Sequence, residues 1–291
     1  MNKISKRTTK VASQAETGRT DRHYRRGTFA ALKLSAYRIF FGALLMQMTA
    51  MNMQMVARSW FMYELTGSAV MLGAVGLGGA VPMLTVSLFG GVLADRIRKK
   101  SILVAGQLAS ALVALGVAIS ITVGAISWTH LFVAAVLQGL VMALMMPARQ
   151  ALIYELVGKN TLMNAIALNA AAMNFIRLTA PAFAGFFIAF WGAESVYYIM
   201  TALYAIGFMF AVRLPRTGKD RLRESSTIQE LTEGLRYIRH NADVLALLVL
   251  TLLATVLSMP YLFLLPMFTR DVFLVDVSIF GRLASLPLIG S

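Results

Sequence analysis

The amino-acid sequence predicts an all-α integral membrane protein, and three observations support that fold class. Hydrophobic residues make up 58% of the 291-residue chain and charged residues only 14%, which is unlike the composition of soluble proteins. Apolar runs of the length needed to cross a bilayer recur along the chain. Between these runs, lysine and arginine are concentrated in alternate connections. We therefore expect a bundle of membrane-spanning helices.

Seven full spans and a partial eighth are expected, with boundaries set by the apolar runs. The first, at 36–63, follows a polar tail and is too long and too far from the N-terminus to be a signal peptide. The second and third, at 69–93 and 101–124, are joined by a short basic turn, so they must be antiparallel neighbours. The other full spans are expected at 128–146, 162–190, 195–212 and 243–266, and the partial span runs from about 278 to the end.

The long connection at 213–242 divides the spans into two groups. It follows a six-helix bundle at 36–212, itself preceded by a basic tail at 1–35, and it leads into a second group at 243–291. The segment from Ser226 onwards has a capping-box-like start and apolar residues at helical spacing. It predicts an amphipathic helix on the membrane surface, and a solvated connector helix is the alternative.

The distribution of basic residues predicts the orientation. The tail up to Arg38 carries 10 Lys and Arg, residues 96–100 carry 4, residues 149–159 carry 2 and residues 213–239 carry 7, which is 23 of 27. By the positive-inside rule these segments are cytoplasmic, so a multi-pass protein of the bacterial inner membrane with a cytoplasmic N-terminus is expected. The net charge of +14 then reflects topology, and no nucleic-acid partner is expected.

The turn after the second span resembles a signature of the major facilitator superfamily. The matching residues are Gly91, Leu93, Ala94, Asp95, Arg96, Lys99, Lys100 and Leu103. Arg98 stands where the pattern has glycine, a change that could alter the turn because glycine tolerates positive φ. The resemblance implies a superfamily-like six-helix N-terminal bundle followed by an incomplete C-terminal bundle. It also implies that Gly91, Asp95, Arg96, Lys99 and Lys100 form a cytoplasmic gate.

Further stretches are similar to one branch, the exporters of the macrolide-efflux and enterobactin-exporter type. They lie at 60–68, 147–151, 162–165 and 233–237. The resemblance implies a secondary transporter that exports drugs, siderophores or other small amphipathic molecules by alternating access. Its expected partners are a small-molecule substrate, the lipid bilayer and a coupling proton.

Two coupling patterns of the superfamily are altered in this chain. Gln138 and Gly139 fit the proton-coupling pattern, but Ala135 stands at its arginine position, and the antiporter pattern is changed at 180–185. The 13 acidic residues lie in the tail, in connections or at span ends. Proton coupling would therefore have to use Asp95 or Glu64, since a coupled carrier needs a group that titrates.

Polar residues inside the spans are candidates for a substrate cavity because they are costly in lipid. Four residues of the first span follow one helical stripe: Gln47, Met51, Gln54 and Arg58. Helix–helix hydrogen bonds by the glutamines and snorkelling of Arg58 are the alternatives. Further cavity candidates are Gln138, Asn174, Arg177, Thr251 and Thr255.

Arg177 has two candidate roles, binding an anionic substrate group or making structural hydrogen bonds. A guanidinium at the bilayer centre costs about 2.5–3.5 kcal/mol on insertion scales, so this side chain should not face lipid. The hydroxyl groups of the seventh span could simply bond to the carbonyl of residue i−4.

No metal, cofactor or enzymatic activity is expected. The chain has no cysteine and its three histidines, His23, His130 and His240, are scattered. Paired carboxylates, nucleophile motifs and phosphate-binding glycine loops are missing from the sequence.

The end of the sequence raises an alternative to a working exporter. From Ser278 only 14 residues remain, which as a helix reach about 21 Å, less than the ~30 Å hydrocarbon core. The resemblance implies four further spans. A C-terminally truncated, non-transporting fragment of such a carrier is therefore also considered.

Overall fold

The computed structural model describes residues 29–158, 161–215, 241, 244–247, 249–251 and 253, and for residues 88–96 it describes the backbone alone. Across this part of the chain all regular structure is helical. A short 3₁₀ helix at Ala31–Lys33 precedes five long helices. They are α1 (Ser35–Thr66), α2 (Ala69–Arg96), α3 (Lys99–Thr122), α4 (Trp128–Val157) and α5 (Leu162–Val212).

The first helix ends where the sequence supplies a glycine. Gly67 adopts φ 58° and donates its backbone N–H to the carbonyl of Tyr63 at 2.8 Å. Glycine takes this left-handed conformation without the steric cost that a side chain would add. The chain then reverses within two residues and begins α2 at Ala69.

The basic turn between α2 and α3 is shorter than expected. Backbone helix continues to Arg96 and resumes at Lys99, so Ile97 and Arg98 alone connect the two helices. Arg98 has φ −57° and ψ 121°, a conformation open to any L-residue. The replacement of glycine by arginine therefore does not strain this turn.

The fourth helix is longer than its apolar run predicted. Residues 128–146 were expected to span the membrane, whereas the helix runs to Val157 and contains Pro147. Neighbouring helices can satisfy the backbone carbonyl that a proline leaves free, so proline need not end a membrane helix. Arg149, which the charge pattern placed in a cytoplasmic connection, consequently lies within α4.

The fifth helix contains the break that separates two predicted spans. Gly192 has φ 77° and ψ 169° inside Leu162–Val212, and the predicted spans end at 190 and resume at 195. A side chain at Gly192 would be strained in this conformation. The hydroxyl of Ser195 donates to the Gly192 carbonyl at 2.7 Å and holds the bend.

The described helices make their main contacts in four pairs. α1 lies against α5, α2 against α4, and α3 against both α4 and α5. Tyr37 joins α1 to α5 by donating to the Ala165 carbonyl at 3.1 Å and contacting Asn169 Oδ1 at 2.9 Å. Small residues allow α2 and α4 to approach closely, because a Cβ atom at Gly139 would overlap the Gly79 backbone.

All five helices contain a segment that is long and apolar enough to cross a membrane. The prediction of a helical membrane protein is thus confirmed at this level. The seventh span falls partly outside the described residues, and its described positions between 244 and 253 are helical. The partial eighth span and the amphipathic segment after Ser226 lie outside the described residues.

Candidate functional site

A buried polar cluster lies where α3, α4 and the second part of α5 meet. Gln138 donates from Nε2 to Ser110 Oγ at 3.2 Å and to the Tyr204 hydroxyl at 3.4 Å. Gln107 lies one turn from Ser110, donates to the Ala43 carbonyl at 3.3 Å, and is buried against Gly207. A side chain on residue 207 would collide with this amide.

Two acceptors in this cluster have no donor. The Oε1 atoms of Gln107 and Gln138 are both fully buried and make no hydrogen bond. Rotating the Gln138 amide by 180° would let the two hydroxyls donate to Oε1, but it would leave Nε2 unpaired instead. Buried polar groups normally find a partner. The cluster therefore has unused hydrogen-bonding capacity, suited to an internal water or a ligand group.

Arg58 brings α1 to the same cluster. Its guanidinium is within electrostatic range of the hydroxyls of Tyr197 and Tyr204, and its Nη1 lies 3.9 Å from the Cβ position of Gly79. Tyr204 also contacts Gln138, so two sequence-predicted site residues converge on one tyrosine. The arrangement places a guanidinium among aromatic hydroxyls.

The rest of the α1 stripe is divided between the bundle interior and its surface. Gln47 is 1% exposed and donates to the sulfur atoms of Met142 at 3.9 Å and Met145 at 3.4 Å. Gln54 is also buried, whereas Met51 is 41% exposed. Gln47 and Gln54 therefore lie inside the bundle, whereas Met51 lies at its surface.

Arg149 is a polar residue of the membrane helices that the sequence reasoning missed as a site candidate. It is 9% exposed, and its Nη1 donates to the Met48 sulfur at 3.8 Å. Its position just after Pro147 made it look like part of a connection. The buried residues Ala148 and Leu152 on either side continue the helical pattern and could have shown that α4 extends past the proline.

The first part of α5 carries Asn174 and Arg177, whose side chains are both exposed on the surface of the described bundle. The structure thus places them apart from the buried cluster. Arg177 has no carboxylate partner among the residues for which ion pairs are described. Thr251 donates to the Leu247 carbonyl at 2.7 Å, as expected for an i−4 contact, and Thr255 lies outside the described residues.

Among the predicted gate residues, the structure describes the side chains of Lys99 and Lys100. Lys99 forms an ion pair with Glu155 near the end of α4. Lys100 donates to the carbonyls of Val212 at 2.7 Å and Leu214 at 2.5 Å, at the end of α5. Both lysines therefore contact their own bundle. The side chains of Asp95 and Arg96 lie outside the described residues, and the backbone of these two residues and of Gly91 belongs to α2.

Away from the helix ends and the break at Gly192, the charged residues of the described helices are arginines. The ion pair between Lys99 and Glu155 is the sole one in the described part of the chain, and both of its residues lie at helix ends. Arg58, Arg149 and Arg177 occur within helices, and none is paired with a described carboxylate. No group of three or more metal-binding side chains occurs among the described residues.

Comparison with known proteins reveals a family match along most of the chain. A major facilitator superfamily model described as "transmembrane secretion effector" matches residues 26–290. The staphyloferrin A transporter of Staphylococcus aureus is 26% identical over 236 residues, which cover 81% of this chain and 59% of the relative. Macrolide efflux protein A of Streptococcus pyogenes is 28% identical over 247 residues, covering 83% and 60%.

A third relative is the multidrug efflux pump Tap of Mycolicibacterium fortuitum, 26% identical over 214 residues that cover 70% of this chain and 52% of the relative. The aligned part of this chain thus spans between about half and three fifths of the length of these relatives. Their names describe a transporter of staphyloferrin A, an efflux protein for macrolides and a multidrug efflux pump.

Proposed function

Since the chain belongs to the transmembrane secretion effector family of the major facilitator superfamily, we propose that it acts as a secondary transporter in a bacterial inner membrane. It exports drugs, siderophores or other small amphipathic molecules by alternating access. The observation that carries the proposal is the family match over residues 26–290, which includes every described helix. The names of the relatives support the substrate classes.

The proposed substrate path follows the polar residues of α1 and α4. Gln138 donates to the Tyr204 hydroxyl, and Arg58 lies within electrostatic range of the same group. Gln47, about three turns before Arg58 on α1, contacts α4 at Met142 and Met145. Polar groups inside a membrane protein usually face a cavity or one another. Asn174 and Arg177 then contribute from the exposed face of α5, where a second bundle would complete the path.

We assign two roles to the basic turn. Lys99 and Lys100 stabilise the bundle itself, through Glu155 and through the carbonyls at the end of α5. Together with Gly91, Asp95 and Arg96, they also form the cytoplasmic gate. The charge distribution, with 23 of 27 basic residues in alternate segments, supports a cytoplasmic position for this turn.

An accumulation assay tests the proposed function. The chain is expressed in a bacterial host that lacks its own efflux pumps, and the accumulation of fluorescein, of a fluorescent cationic dye and of a macrolide is measured. We expect lower accumulation of at least one compound than in cells with empty vector, and we expect Asp95→Asn to restore it. Equal accumulation in both strains, with the protein present in the membrane fraction, would contradict the proposal.

A further inference from the structure

Two strong hydrogen-bond donors on the facing sides of α1 and α4 have only sulfur acceptors in the described part of the chain. Gln47 donates to Met142 and Met145, and Arg149 donates to Met48. We call these five residues the α1–α4 seam. Thioether sulfur is a weak acceptor, so the donors on this seam are poorly satisfied.

Arg149 needs more hydrogen-bond acceptors than Gln47. A guanidinium carries five N–H groups and a permanent positive charge, yet its described acceptor is one sulfur atom at 3.8 Å. The residue is 9% exposed and has no described carboxylate partner. A buried charge is costly unless it is paired. Since the described residues supply no carboxylate here, the group that neutralises Arg149 should be an oxygen atom that carries negative charge.

The side chains around Arg149 indicate that the rest of its binding partner is apolar. Met48, Met142 and Met145 are buried beside the two donors. Methionine side chains are flexible and apolar, and they adapt to ligands of varied shape. Three thioethers could also attract a soft metal cation, but the fixed charge of Arg149 opposes a cation here.

We propose that Arg149 binds the anionic oxygen atoms of an amphipathic substrate on the α1–α4 seam. Gln47 holds Met142 and Met145 in place through its hydrogen bonds to their sulfur atoms. The methionines contact the apolar part of the ligand. The site lies toward the end of the bundle where Lys99 pairs with Glu155. This inference rests on the proposed transport function and specifies its substrate class as anionic amphipathic molecules.

Two xanthene dyes of opposite charge test the inference. Fluorescein is an anion and rhodamine 6G is a cation, and both share one ring system. Their binding to the purified full chain in neutral-lipid nanodiscs is measured by fluorescence anisotropy. Hydrogen bonds to charged groups contribute about 1.5–3 kcal/mol, so Arg149→Gln should weaken fluorescein binding about 10- to 100-fold. Rhodamine 6G binding should stay within about threefold of the wild type.

Matched variants separate this site from general charge effects. Arg38→Gln removes an exposed arginine of α1 and should leave fluorescein binding unchanged. Arg149→Lys keeps the charge but loses the planar fork, so an intermediate loss is expected, and this variant carries the test if Arg149→Gln does not fold. Gln47→Leu, which removes the neighbouring donor, should weaken fluorescein binding by a smaller factor than Arg149→Gln.

The outcomes distinguish the inference from the function on which it rests. Unchanged fluorescein affinity in folded Arg149→Gln, or an equal loss in Arg38→Gln, would overturn the assignment of Arg149. Wild-type protein that binds rhodamine 6G but not fluorescein would overturn the anionic class and leave the small-molecule function standing. Binding of neither dye would count against both.

Discussion

Gly139 sets how closely α4 approaches α2. A Cβ atom there would overlap the carbonyl oxygen of Gly79, which is backbone and cannot rotate away. We therefore expect Gly139→Val to destabilise the bundle by about 1–3 kcal/mol through overpacking. Thermal unfolding in detergent, followed by intrinsic fluorescence, should show a melting temperature lower by several degrees.

Gly116 provides the matched control for this prediction. It lies in α3 and has no neighbour within 4 Å of its Cβ position. Gly116→Val carries the same change in helix propensity, so the difference between the two variants isolates the steric overlap. Equal melting temperatures for the two variants would show that the contact between Gly79 and Gly139 does not limit packing.

At the level of residues, the sequence identified polar side chains better than it identified their partners. Gln138 and Arg58 were predicted as site residues; Gln138 donates to the Tyr204 hydroxyl, and Arg58 lies within electrostatic range of it. Their meeting depends on how α1, α4 and α5 rotate about their axes, which a single apolar run does not determine. Gln107 and Ser110 were missed, although their i, i+3 spacing in an apolar helix was a readable signal.

The end of α5 is stabilised by a residue from another helix. Lys100, in the first turn of α3, donates to the carbonyls of Val212 and Leu214. The last carbonyls of a helix lack partners within the helix, and a cation there also interacts favourably with the helix dipole. The basic turn thus connects α3 to the end of the described bundle.

We expect Lys100→Met to loosen this end of α5. A loss of about 1 kcal/mol corresponds to roughly fivefold faster amide exchange if the end opens locally. Hydrogen exchange with mass spectrometry should detect the change in peptides that cover residues 208–215. Glu155→Gln serves as the control because it breaks the Lys99 ion pair at the end of α4 instead. Faster exchange at α5 in both variants would indicate general destabilisation of the bundle.

Helix positions followed from the apolar runs, whereas helix ends depended on local backbone chemistry. The break in α5 occurs at Gly192 between two predicted spans. In α4, however, the apolar run stops at Pro147 while the helix continues to Val157. Packing of Ala148 and Leu152 in the core favours that continuation. Arg149 was misplaced for the same reason, since its burial depends on tertiary contacts.

For the whole molecule, helix connectivity and charge together determine a testable topology. The short connections at Gly67, around Ser127 and at Gly192 alternate along the chain with those at Arg98 and Gly158. In a bundle of spanning helices, alternate connections lie on opposite sides of the bilayer. Basic residues are concentrated in the second set and in the N-terminal tail. The expected orientation places that set in the cytoplasm.

Reporter fusions test this orientation. Fusions in the N-terminal tail and near Lys99, Lys159 and Arg221 should report a cytoplasmic location, since 23 of 27 basic residues lie in these segments. Fusions near Ser68, Ser127, Glu194 and Asp271 should report the outside of the membrane. A phosphatase reporter that is active outside and a fluorescent protein that folds inside give independent signals at each site. Two or more reversed sites would contradict the topology, and the cytoplasmic gate proposed for Asp95 and Arg96 would then have to be abandoned.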